Sequence, residues 1–273
     1  AKINLSLSVI DKLKIGYHKI ESLVSFVDLY DEIKIKKINN KNHKIQFFGK
    51  FSNGINKNNS VSKLLNILDK KNLLNKQKYL IKIKKNIPQK AGLGGGSMNA
   101  AAIIRFFLFK KILNFSKKNL TKLAREIGSD VELGLNINNK VLYSNGNLVT
   151  TSRKLRLFVI IAKPNFGCST KKIYEKVKNY SPKKFIKNKK NYFTFNNILN
   201  SKNDLEKVVY KNYPTLNNLK LFLLSLPNIQ FVRMTGSGSC IVGYFLTIYA
   251  AKNGKKLLKR KYKNYWSITS KTI

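Results

Sequence analysis

Cysteine is nearly missing from this 273-residue chain: Cys168 and Cys240 are the only two. So sparse a pair excludes a disulfide framework and predicts reduced, buried thiols in the cytoplasm. Acidic side chains are also scarce, 12 Asp and Glu against 54 Lys and Arg, and they never gather at metal-ligand spacing. That argues against a dedicated metal cage. Long apolar runs are lacking too. The best, 100–113, is interrupted by Arg105, Lys110 and Lys111 and falls short of the roughly 18 residues that a membrane helix needs. No secretory leader is visible at the start, and Ala1 in place of Met predicts a processed or trimmed terminus.

The charge that remains is extreme, +42 at neutral pH. A nucleic-acid partner is the obvious reading. Three features weigh against it. The lysines run along the whole chain instead of forming one arm. Asn and Ile are over-used alongside Lys, and A/T-rich codons explain all three. Arg, the residue suited to bidentate base and phosphate contacts, is rare beside Lys. The expectation is therefore no specific nucleic acid and no membrane, with non-specific attraction of polyanions at low salt and electrostatic steering of anionic substrates. Nucleic-acid binding stays open as the alternative from another class.

Periodicity divides the chain near 150. Before it, Lys2 to Val9 alternates as a half-buried strand that sets Lys2 and Asn4 on one face. A turn is expected at Gly16-Tyr17-His18, then strands over 20–26, 32–37 and 79–83. Helical spacing marks 61–68, 100–113 and 120–127, the last running from Ser116 to a Gly128 C-cap. After it, 157–162 reads as a central strand, 169–178, 204–211, 216–224 and 249–260 as helices, and 231–235, 240–245 and 266–270 as strands. Residues 179–202 show no period and read as a basic insertion. This order predicts an α+β protein of two domains, 1–152 and 153–273.

The densest signal is Gly92-Leu93-Gly94-Gly95-Gly96-Ser97, followed by an Ala-rich helix. Four glycines in five residues let backbone amides converge on a ligand, and a helix N-terminus behind them favours an anion. A nucleotide polyphosphate is the natural occupant. The loop lacks the Gly-Lys-Ser/Thr of a P-loop and fits the dinucleotide fingerprint poorly. Taken alone, it is equally readable as a tightly packed turn.

The rest of the chain tips that balance. Lys2-Ile3-Asn4-Leu5, Gly16-Tyr17-His18, Ile87-Pro88, the glycine loop, Gly128-Ser129-Asp130-Val131, Asn203-Asp204-Leu205-Glu206 and Met234-Thr235-Gly236-Ser237-Gly238-Ser239 follow one another from head to tail. In this order and spacing the chain resembles the GHMP kinases, small-molecule kinases whose glycine loop differs from Walker A. Lys-x-Asn with Gly-Tyr-His is similar to the branch that phosphorylates the 2-hydroxyl of 4-diphosphocytidyl-2-C-methyl-D-erythritol, a step of the methylerythritol phosphate route to isoprenoid precursors. A kinase acting on a different alcohol is the nearer alternative. The resemblance implies a two-domain fold, with an N-terminal ribosomal-domain-like α/β sandwich that binds ATP and a C-terminal ferredoxin-like domain. It implies ATP with Mg²⁺ as cofactors, and a monomer or homodimer.

Residue roles follow from the same resemblance. Asp130 matches the base that orients and deprotonates the substrate hydroxyl, and Lys2 the lysine beside it. Pro88, Lys90, Gly92, Leu93, Gly94, Gly95, Gly96 and Ser97 match the phosphate loop, with Asn59 and Lys85 near the adenine. Asn4 and His18 match contacts to the cytidine end, and Tyr17 a ring stacked on the base. Tyr174 falls where a second aromatic is common, and reads equally as a helix-core residue. Thr235, Gly236 and Ser237 match a loop over the substrate diphosphate. Three departures stand out: Met98 where a second Ser is usual, Glu132-Leu133-Gly134-Leu135 after Asp130-Val131 in place of a Pro and small residues, and Asn58 in place of a common acid.

Overall fold

A computed structural model describes residues 1–13, 17–186 and 192–273. Gly16 of the expected turn and part of the 179–202 insertion lie outside the described residues. The chain condenses into two compact units. One takes residue 1, Leu29–Gln89 and Gly94–Ile137; the other takes Lys2–Asp28, Lys90–Leu93 and Asn138–Ile273.

The chain enters the second of these units first. Strand β1 (Lys2–Lys12) pairs antiparallel with β2 (His18–Phe26). The sequence pattern predicts a strand wetted on one face. The structure corrects this: Lys2, Asn4, Ser6 and Ser8 are as buried as Ile3, Leu5 and Leu7. The polar face stays dry because it satisfies itself. Asn4 Nδ2 donates to Ser22 Oγ, Ser22 Oγ to the Ser6 carbonyl, and the Leu23 amide to Ser6 Oγ. Each bond offsets the cost of hiding a polar group, about 1–3 kcal/mol when such a group is left unpaired.

The chain then builds the other unit. Strand β3 (Glu32–Ile38) and strand β4 (Lys44–Phe48) flank β5 (Lys78–Lys84) in a three-stranded sheet, antiparallel and parallel respectively. Helix α1 (Ser60–Lys70) begins at Asn59, whose side chain accepts from the Val61 and Ser62 amides in a capping box. Helix α2 (Gly95–Phe109) starts in the glycine loop, five residues before the expected apolar run, and ends at Phe109 instead of 113. Helix α3 (Lys117–Ile127) starts at its Ser116 cap and stops at Gly128, and the short α4 (Val131–Gly134) follows Asp130. Ile81, Ile83, Leu64, Leu68, Ala100, Ile104, Phe107, Leu123 and Val131 meet in one core. Each large side chain buried there contributes about 1.5–3 kcal/mol.

The remainder completes the first-entered unit. Strands β6 (Asn139–Leu142) and β7 (Leu148–Thr151) extend the β1–β2 sheet in the order β1-β2-β6-β7. Then come β8 (Phe158–Lys163), α5 (Thr170–Glu175), α6 (Phe195–Leu199), α7 (Leu205–Asn212), α8 (Pro214–Leu224), β9 (Ile229–Met234), β10 (Ile241–Phe245), α9 (Ile248–Lys261) and β11 (Trp266–Lys271). The second sheet runs β11-β8-β10-β9, antiparallel throughout. With α8 and α9, that is a βαββαβ chain in strand order 4-1-3-2, the ferredoxin-like arrangement. Helix α6 corrects the view of 179–202 as wholly aperiodic, and Glu21, 1% exposed, fastens 184–185 by accepting both amides. Both cysteines are free and buried, and burial pushes the Cys168 thiol up to about 11. No described helix is long and apolar enough to cross a membrane.

Candidate active site

The glycine loop is shared between the units, so its two ends have different surroundings. In the unit containing α2, Gly94 caps the helix with φ 66°, and no side chain caps it. The first N–H groups of α2 are thus left to a ligand, with the positive end of the helix behind them. Ser97, in the first turn, has its Oγ 3.9 Å from where a Cβ on Gly128 would stand. Two residues on, Asp130 sits half-buried at the start of α4. A hydroxyl, a row of helix-end amides and the turn that carries a carboxylate therefore converge within one unit.

Beside the start of α2 lies a buried carboxylate that the sequence reading missed. Asp31, with a fully buried side chain, accepts the Asn86 and Ile87 amides at 2.7 and 2.9 Å and the Asn99 side-chain amide at 3.0 Å. It also pairs with the Lys85 ammonium. The Lys85 Nζ lies 3.5 Å from where a Cβ on Gly95 would be. Lys85 is thus committed beneath the loop. Asn59 is similarly committed: its amide nitrogen donates to the Asn56 and Lys57 carbonyls while its oxygen caps α1. Pro88 is buried, and Gln89 anchors the strand exit on the Phe51 and Asn53 carbonyls.

Met98 also finds its place here. A Cβ on Gly134 would stand 2.6 Å from Ala101 Cβ and 2.9 Å from Met98 Cε. The thioether fills the space where α4 comes closest to α2. In this chain the position serves packing, and Gly134 is the residue that makes room for it.

The other unit holds the loop's first half, 90–93. The Lys2 amide donates to the Leu93 carbonyl, and the Cys240 and Ser239 amides reach the Ala91 and Lys90 carbonyls. Gly92 has φ +72°, and a Cβ on it would come within 2.0 Å of the Thr235 carbonyl oxygen. Only glycine permits that approach. Thr235, fully buried, donates its hydroxyl to the Gly92 carbonyl and accepts the Asn4 amide. Lys2 Nζ donates to Asn4 Oδ1 at 2.7 Å and lies 3.5 Å from where a Cβ on Gly236 would stand. Ser237 Oγ pairs with Thr170 Oγ1 at 2.8 Å. Lys2, Asn4, Gly92, Leu93, Thr235 and Gly236 therefore form one connected group. Lys90 is exposed and packs its stem over Gly167.

His18, Tyr174 and Tyr180 make a second group in this unit. The His18 ring lies 5.1 Å from Tyr174 and 6.4 Å from Tyr180. Its Nε2 is buried with no partner among the described residues. Burial, reinforced by Lys12 and opposed by Asp11, holds the imidazole below its usual 6.5, so it stays neutral at pH 7. Tyr17 stands apart, 72% exposed. Tyr180 had no periodic signal to reveal it.

The family assignment rests on comparison with known proteins. The sequence profile described as GHMP kinases N terminal domain matches residues 59–137. Across its whole length the chain is 50% identical to the 4-diphosphocytidyl-2-C-methyl-D-erythritol kinase of Pelagibacter ubique (strain HTCC1062), covering 97% of that protein. The chain belongs to the 4-diphosphocytidyl-2-C-methyl-D-erythritol kinase family.

More distant members of this kinase family agree. The protein of that name from Anaplasma marginale (strain Florida) is 33% identical, the match covering 97% of this chain and 93% of the relative. Among solved structures, a 4-(cytidine 5'-diphospho)-2C-methyl-D-erythritol kinase superposes with a TM-score of 0.78 at 22% identity, over 99% of this chain and 97% of that one. A homoserine kinase from Cytophaga hutchinsonii reaches 0.68 at 18% identity, over 100% of this chain and 94% of that one. These likenesses establish the α+β GHMP kinase fold, and membership of the kinase family makes the chain an ATP-dependent small-molecule kinase.

Proposed function

We propose that this chain transfers the γ-phosphoryl group of ATP to the 2-hydroxyl of 4-diphosphocytidyl-2-C-methyl-D-erythritol, within isoprenoid precursor synthesis. The observation that carries the proposal is the full-length 50% identity to the Pelagibacter ubique kinase. The uncapped start of α2, with Ser97 near the Asp130 turn, supports it chemically.

Phosphoryl transfer depends on positioning and charge stabilisation, with little covalent work for the protein. The first amides of α2 and the Ser97 hydroxyl donate to the polyphosphate. Asp130 accepts the proton of the substrate hydroxyl and aims its lone pair at phosphorus. Lys2 stabilises charge on the reacting oxygens. Asn4, whose side chain already serves Lys2 and Ser22, acts by fixing that ammonium. His18 offers Nε2 to the cytosine edge, and Tyr174 supplies a stacking face; base–aromatic stacking is worth about 1–3 kcal/mol. Tyr17, exposed, is free to cover the other face when substrate binds. Thr235, Gly236 and Ser237 receive the diphosphate. Asn59 and Lys85 shape the adenine side through their internal bonds. All residues assigned to ATP fall in 1–152, which we take as the nucleotide-binding domain, with 153–273 as the second.

No group of three or more potential metal ligands occurs among the described residues. The hydroxyl of Ser97 and the carboxylate of Asp130 are hard oxygen donors that suit Mg²⁺ carried in on the nucleotide. Bound there, the ion would neutralise phosphate charge. We place the enzyme in the cytoplasm as a monomer or homodimer.

The test is a coupled ADP-release assay with 4-diphosphocytidyl-2-C-methyl-D-erythritol, homoserine and mevalonate as acceptors, with ³¹P NMR of the product. Turnover confined to the first, with a new 2-phosphate, is expected. Preference for another alcohol would overturn the assignment.

A further inference from the structure

The Asn203-Asp204-Leu205-Glu206 segment has no role in the chemistry above, yet it is among the most heavily bonded stretches of its unit. Asn203 is 2% exposed. Its Nδ2 donates to two carbonyls at once, Met234 and Gly236, each at 2.8 Å. Its Oδ1 accepts the Leu205 amide in a local turn. The same segment grips β1 from the other side. The Leu7 amide donates to the Lys202 carbonyl, the Asp204 amide to the Leu7 carbonyl, and the Val9 amide to Asp204 Oδ2. Glu206 Oε1 then accepts the Met234 amide.

We propose that Asn203 is a positioning residue for phosphoryl transfer, clamping the Met234–Gly236 turn against the strand that carries Lys2. The inference rests on the function proposed above. Both amide protons of one side chain are spent on carbonyls at either end of Thr235. That fixes the Thr235 hydroxyl on Gly92 and Asn4, and sets Gly236 beside the Lys2 ammonium. A backbone that must receive a diphosphate while touching a catalytic lysine has little tolerance for drift; an error near 1 Å in such geometry costs roughly 100-fold in rate. A carboxylate at this position would face two carbonyl oxygens with no proton to give.

The decisive variant is Asn203→Ser. Its hydroxyl can still accept the Leu205 amide and keep the turn, but it is too short to reach both carbonyls. Asn203→Asp is the harsher companion. For Asn203→Ser, circular dichroism should match the wild type. Hydrogen exchange should quicken in the 234–239 peptide and stay unchanged in 95–109. With the cytidine-diphosphate acceptor, kcat should fall roughly 10- to 100-fold while KM for ATP stays within about twofold. Unchanged exchange at 234–239, or faster exchange with kcat unaltered, overturns the clamp. A wild type inactive on that acceptor strikes the proposed function instead, and the exchange comparison then judges the clamp alone.

Discussion

At the scale of single residues, the site pairs groups that react with groups that merely hold. Asp130 stands at a turn near Ser97, and its replacement by Asn keeps the shape while removing the proton acceptor. We expect Asp130→Asn to lower kcat by about 10²–10⁴-fold with ATP affinity, measured by calorimetry, little changed. His18 carries the pH prediction. Burial disfavours its charged form, so its pKa in the folded protein lies below 6.5. A group depressed in this way contributes stability above its unfolded pKa and loses it as pH falls through the folded value. KM for the cytidine substrate should therefore be flat above about pH 6.5 and climb on the acid side as the imidazole charges. In His18→Gln that acid-side climb should vanish from a KM–pH series, and its persistence would assign the titration elsewhere.

At the scale of elements, periodicity made most of the architecture legible. The β1 alternation, the α1 and α3 stripes and the apolar 157–162 run all mark real elements. Three things were hidden, each for a physical reason. The burial of the polar face of β1 depends on partners at Ser22 and Thr235, distant in sequence. Strands β4, β6 and β7 are only four or five residues long, too short for a period to emerge. Asp31 is a lone acid whose importance comes from amides of 86 and 87 and from Asn99. The motif residues were recognisable because chemistry demands their type; Asp31 and Asn203 were not assigned roles because the groups they hold in place lie far along the chain. The glycine loop supplies the sharpest element-level prediction. Gly92→Ala would need a left-handed φ and place a methyl 2.0 Å from a carbonyl oxygen. It should disrupt the 90–93 turn, raising KM for both substrates, whereas Gly146→Ala, also at positive φ but with open space around it, should cost only about 1 kcal/mol in a denaturant melt. Equal effects would show that the clash is relieved cheaply.

At the scale of the whole molecule, the +42 charge acts on encounters more than on fold. Both proposed substrates are anionic. Raising ionic strength from about 50 to 200 mM should lower kcat/KM by shortening the screening length, with kcat itself steady; a salt-independent kcat/KM would mean the charge steers nothing. Any RNA retention should collapse over the same range, and survival at physiological salt would favour specific nucleic-acid binding. The chain's route through its two units has another consequence. The strand bearing Lys2 is made first, but it joins a unit most of whose members arrive from residue 138 onward, among them Asn203 and Thr235. During synthesis the intervening unit can complete itself while that first hairpin waits for its neighbours. A chain stopped between residues 138 and 202 would hold the finished start of α2, while residues 90–93 and the Lys2 strand still lacked Asn203, Thr235 and Cys240, so a nascent fragment of that length would own half of its phosphate grip and none of its catalysis.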